Sequence, residues 1–178
     1  MKKILGEERR TLLLDILKSS TEPITGGELA AQTNVSRQVI VGDITLLKAR
    51  NEPIIATSQG YLYMQTSSPA VLTERTIACS HSPEETEEEL NILVDQGVTV
   101  KDVRIEHPVY GDLTASIMVS NRREVKQFME KIKSTNSGYL SELTEGIHIH
   151  TIAAQSERAL DEAEAAMKEA GYLIDLTD

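Results

Sequence analysis

The sequence predicts an α+β protein in two parts, an N-terminal winged helix-turn-helix (residues 1–66) and a C-terminal two-layer βαββαβα domain (residues 71–178). Three observations carry this expectation. The first part holds three short helical patterns followed by a strand, a turn and a strand. The second alternates strand-like and helix-like segments, with helix-capping residues between them. Charge divides in the same way: residues 1–70 carry 8 basic and 7 acidic residues, net +1, whereas residues 71–178 carry 10 and 21, net −11. The segment Gln65–Ala70 lacks an apolar period and contains Pro69, so it reads as a linker.

In the first part, Leu13, Ile16 and Leu17 form an apolar stripe on a helix from Glu7 to about Lys18, and Pro23 prevents its extension. A second helix runs from Gly27 to about Gln32. Thr33-Asn34-Val35-Ser36 follows, in which Asn34 accepts a left-handed backbone and Ser36 caps the next helix. The third helix, Arg37 to about Arg50, buries Ile40, Ile44 and Leu47. Ile54–Thr57, a turn at Ser58-Gln59-Gly60 and Tyr61–Met64 have the size of a wing.

A helix of this kind enters the major groove by its first turn. Ser36, Arg37 and Gln38 occupy that turn, Arg37 suited to guanine and Gln38 to adenine. Thr45, Lys48 and the wing residues Ser58 and Gln59 suit positioning contacts to the phosphates. A reading head of net charge +1 beside an acidic partner domain binds weakly as a single copy. A homodimer on two half-sites of double-stranded DNA, about one helical turn apart, is therefore expected.

The second part contains all four histidines. A strand from Arg75 to about Ser80 leads to Ser82, a helix cap with Pro83 at the first helical position and Glu85 completing a capping box. The helix carries Leu90, Leu93 and Val94 and stops at Gly97. Val103, Ile105 and His107 alternate along a second strand, Pro108–Gly111 turns the chain, and Thr114–Val119 reads as a third. Asn121 with Glu124 repeats the capping pattern before a helix that buries Val125, Phe128, Met129 and Ile132. Ile147–Ala153 is the fourth strand, and a last helix spans Glu157–Ala170. A right-handed crossover sets the fourth strand antiparallel beside the first.

That pairing brings His81, just after the first strand, to His148, at the start of the fourth. His148 and His150 project from one face of their strand, so two imidazoles can reach one ion. Nitrogen donors with a carboxylate suit a borderline divalent cation such as zinc, nickel or iron. On the helix that follows His81, Glu87 and Glu89 flank the apolar stripe on opposite sides, and periodicity alone does not choose between them.

Composition narrows the function classes. With 40% hydrophobic and 26% charged residues the chain affords a packed core and is neither collagenous nor largely disordered. A net charge of −10 argues against coating nucleic acid by bulk attraction. Cys79 is the single cysteine, which fits a reducing compartment. Met1–Arg10 lacks the apolar stretch of a signal peptide, and no apolar run approaches the ~20 residues that span a bilayer. A cytoplasmic protein with no membrane partner is expected. No HExxH-like or nucleophile motif supports an enzyme.

Ser36–Ile44, joined to a domain with His81, His107-Pro108-Val109-Tyr110-Gly111 and Gly146–His150, resembles the niacin-responsive transcriptional repressors of NAD metabolism. The likeness covers nearly the whole chain. It implies a biotin-repressor-like winged helix joined to a three-histidine domain similar in topology to the histidine-containing phosphocarrier fold. It also implies repression of genes of NAD synthesis or niacin uptake, with nicotinic acid as corepressor, and a metal site on His81, Glu89, His148 and His150. His107 and Tyr110, expected at the same sheet edge, become candidates to contact the ligand. Gly42 departs from the polar residue expected on a recognition helix. The alternative reading is a metal-sensing repressor in which the ion itself is the signal.

Overall fold

A computed structural model describes residues 4–65 and 72–174 and divides into two compact units, Met1–Ser68 and Pro69–Asp178. Most of the segment read as a linker lies outside the described residues.

In the first unit, α1 spans Gly6–Ser19, α2 Gly26–Thr33 and α3 Arg37–Ala49, followed by a hairpin of β1 (Ile54–Thr57) and β2 (Gly60–Tyr63). The helices begin where side chains can satisfy their free N–H groups. Thr25 and Glu28 close a capping box on α2, a signal not read from the sequence. The Ser36 hydroxyl accepts from the Val39 N–H at the start of α3, and Asn34 adopts φ 52° as expected. Leu13, Leu17, Leu29, Ala30, Ile40, Ile44, Leu47 and Ile54 form the core. Beside it, Arg9 of α1 donates from Nε to Asp43 of α3 at 2.5 Å, both groups buried. Ile24 bridges to Tyr61, placing a short third segment on the hairpin. Gly60 (φ +131°) permits this approach, since a Cβ there would lie 2.6 Å from the Ile24 carbonyl.

The second unit is a four-stranded antiparallel sheet in the order β3-β6-β4-β5, with β3 Thr73–Ser80, β4 Thr99–His107, β5 Gly111–Ala115 and β6 Ile147–Ala154. Helices α4 (Thr86–Asp95), α5 (Arg122–Thr135) and α6 (Glu157–Glu169) close a core of Ile77 and Ile152 from the sheet with Leu90, Leu93, Val125, Met129, Leu160 and Met167. The element order is the expected βαββαβα. β6 lies beside β3, as the crossover argument requires, and also beside β4, which makes it a central strand.

Three local expectations are corrected. The third strand is not Thr114–Val119: β5 ends at Ala115, Met118 turns the backbone at φ 51°, and Val119 re-pairs with Val100. Asn121 caps α5, but the Glu124 carboxylate accepts from the Ser120 N–H and hydroxyl and does not close a box on Asn121. The polar loop before β6 contains a 3-10 helix, Leu140–Thr144. No described helix is long and apolar enough to cross a membrane.

Candidate metal centre

The register of β3 and β6 builds the site. Cys79 pairs with His148 and Ile77 with His150, so the chain leaving β3 carries His81 past the start of β6. Gly146 (φ +94°) makes room for it, because a Cβ at this position would lie 2.3 Å from the His81 carbonyl oxygen. His148 and His150, two apart, present their rings on the face packed by α4. From that helix Glu89 enters between them, 1% exposed, while Glu87 stays at the surface.

All three rings turn Nε2 towards the one carboxylate. His148 Nε2 is 2.9 Å and His150 Nε2 3.1 Å from Glu89 Oε1, and His81 Nε2 is 2.6 Å from Oε2. The side chains are 1–3% exposed. Each Nδ1 faces a backbone carbonyl: Ser82 for His81, Gly146 for His148 and Asp102 for His150, at 2.7–2.8 Å. A carbonyl only accepts, so each Nδ1 carries a proton, and a ring without a second proton offers an Nε2 lone pair to the carboxylate. Acceptor then faces acceptor unless a proton or a cation lies between them. Despite its closeness, His81 Nε2 makes no hydrogen bond to Glu89. Burial pushes the Glu89 carboxyl up, but His150 and the close approach of the three rings outweigh it and hold it well below the carboxylate range. Burial likewise lowers His81 and His150, and Glu89 reverses this, leaving both above the ordinary imidazole value.

Three inward lone pairs, one of them on the orphaned His81 nitrogen, and one ionised carboxylate are the donor set of a borderline divalent cation, with carbonyls fixing the ring orientations. Cys79 adds a sulfur: its Sγ, one Glu89 oxygen and one His148 nitrogen lie within 4.8 Å of one another. Burial and then Glu89 push the thiol up. The sequence reading used Cys79 only to argue compartment. The signal was present, since Cys79 and His81 are two apart at a strand end.

The centre forms one wall of a cavity of about 230 Å³. The other walls are Leu90 of α4, Ile117, Phe128 and Ile132 of α5, and Tyr139, with Thr86 and Ser141 supplying hydroxyls. The sequence places Phe128 and Ile132 in a helix core and does not mark Thr86 or Ser141. No local pattern marks them, because the cavity exists only where α4, α5 and the sheet meet. His107 and Tyr110 are placed elsewhere. They sit at the β4–β5 hairpin, with His107 Nδ1 accepting from the Val109 and Tyr110 N–H groups and Tyr110 75% exposed, and neither lines the cavity. His107 does share the sheet end of His148, but the hairpin turns its ring back on itself.

In the first unit Ser36, Arg37, Gln38, Thr45 and Lys48 are exposed on or beside α3. The Thr45 hydroxyl donates to the Val41 carbonyl, and Ser36 is engaged as the cap. Ser58 and Gln59 form the tip of the hairpin, half-buried, with Gln59 Nε2 donating to Ser58. The sequence reading overlooked Val39 and Leu46, large apolar side chains 37% and 48% exposed on either side of Gly42.

The model of the 3H domain matches residues 74–176, and that of an HTH domain residues 9–62. Among curated proteins the chain is 61% identical to the transcription repressor NadR of Bacillus subtilis, over 97% of this chain and 96% of that protein. It is 38% identical to the probable transcription repressor NiaR of Thermotoga maritima, over 97% of each. Helix-turn-helix unit, three-histidine centre and end-to-end identity converge: this chain belongs to the NadR/NiaR family of transcription repressors.

Proposed function

We propose that the chain represses genes of NAD synthesis or niacin uptake as a homodimer on operator DNA, with nicotinic acid as corepressor beside a divalent metal. The observation that carries this reading is the convergence of three imidazole Nε2 atoms on Glu89 at the wall of an apolar cavity. His81, Glu89, His148 and His150 would hold nickel, zinc or iron. Bound there, the cation supplies a Lewis-acid position for a donor atom of the small ligand. The chain's own residues hold the four donors in register, exclude water behind Leu90 and Phe128, and leave room for a flat ring. A cavity beside the centre favours a small-molecule signal over the ion alone.

On the DNA side, Arg37 and Gln38 read base edges, Ser36, Thr45, Lys48, Ser58 and Gln59 fix the phosphates, and Val39 and Leu46 meet thymine methyl groups across the gap at Gly42. Nicotinic acid acts by binding the DNA-competent dimer better than the alternative state. The test is a gel-shift titration of a promoter region of such a gene with metal-loaded wild type and with His148→Ala. Nicotinic acid is expected to tighten binding by wild type, and the variant is expected to stay folded and unresponsive. An unchanged response in the variant removes the metal from the mechanism, and a response to metal without nicotinic acid makes the ion the signal.

A further inference from the structure

Besides the His81 nitrogen of the centre, the cavity wall contains a second buried polar group whose bonding capacity is unspent. Thr86, the first residue of α4, is 8% exposed, and its Oγ1 is buried without a hydrogen-bond partner. It lies three residues before Glu89, on the same side of the helix. Capping does not need it, because Ser82 and Glu85 already close the box at the start of this segment. A hydroxyl taken out of water with no partner costs free energy and gives nothing to the fold. The Tyr139 hydroxyl donates to the Met129 sulfur 3.8 Å away. Among the described lining residues there is no lysine or arginine. An anionic substituent entering this cavity therefore depends on the centre itself and on neutral donors.

We propose that Thr86 is a specificity-determining residue, whose Oγ1–H donates to the carboxylate of a small aromatic monocarboxylate held in the cavity. The ring of that ligand packs against Phe128, Ile132 and Tyr139. This assignment rests on the niacin reading and sharpens it, because it names the group that distinguishes the acid from an unsubstituted ring. A hydroxyl also accepts, so Thr86 receives an amide as well, and the preference for the acid comes from the charge of the centre.

The experiment is a calorimetric titration of the metal-loaded full chain with nicotinic acid, in wild type, Thr86→Val and Thr86→Ser, alongside a direct metal titration of each. A hydrogen bond to a charged group predicts about ten-fold or more loss of nicotinic acid affinity in Thr86→Val. Thr86→Ser is expected to restore most of it, with metal affinity equal in all three proteins. Thr86→Val binding within about two-fold of wild type overturns the assignment, as does a parallel loss of metal affinity, which would make Thr86 a structural residue of the centre. Failure of metal-loaded wild type to bind nicotinic acid overturns the niacin reading and the assignment with it.

Discussion

Substitution of Asp43 tests how α3 is held. Its carboxylate, 4% exposed, accepts from Arg9 Nε at 2.5 Å and Nη2 at 3.3 Å, and from Arg10 Nη1 at 3.1 Å. Asp43→Ala leaves Arg10 with Glu7 but leaves the buried Arg9 guanidinium with a single acceptor, the Ile4 carbonyl. Breaking a buried pair from one side costs about 3–5 kcal/mol, and the better helix propensity of alanine returns at most about 0.7. A net loss of about 3 kcal/mol lowers Tm by roughly 12–24 °C for a unit of this size. Circular dichroism melts and urea titrations of the full chain measure it. The double variant Arg9→Met with Asp43→Leu removes both charges and is expected to recover most of the loss, since an apolar pair of similar volume replaces a buried ion pair at little cost. A loss below about 1 kcal/mol in the single variant, or no recovery in the double one, refutes this account of the α1–α3 contact.

At the candidate metal centre, nickel or zinc at about 100 times its Kd is expected to stabilise the wild type by about 2.7 kcal/mol over chelator-treated protein. Glu89→Gln is expected to lose most of that thermal shift, and a full shift in the variant excludes Glu89 as a ligand. Glu7 gives a pH prediction. Hydrogen bonds from Arg50 and then Arg10 hold its carboxyl down at about 2, below its unfolded value, so its contribution is present above about 4.5 and is lost as pH falls towards about 2. Glu7→Gln should therefore flatten the fall in urea midpoint between those pH values. The effect is small because the pair is solvent-exposed.

What the sequence determined by itself is whatever rests on neighbours along the chain. The 3.6-residue stripe of Ile40, Ile44 and Leu47, the left-handed Asn34, the Ser36 cap and the two-residue spacing of His148 and His150 each follow from local geometry, and the structure carries all of them. The antiparallel meeting of β3 and β6 was also legible, since handedness leaves few alternatives. Where one apolar stripe has acidic residues on both sides, local period gives no preference. Only the packing of α4 on the sheet decides that Glu89 enters among the rings and Glu87 faces water. The same holds for Thr86, Phe128 and Tyr139 around one cavity, for Cys79 beside Glu89, for the Arg9–Asp43 pair, and for the hairpin that keeps His107 and Tyr110 away from the cavity. These are contacts between distant segments, fixed by how each helix is rotated and how closely it approaches the sheet. Rotation and approach are set by the sum of all core contacts, and no short stretch of sequence encodes them.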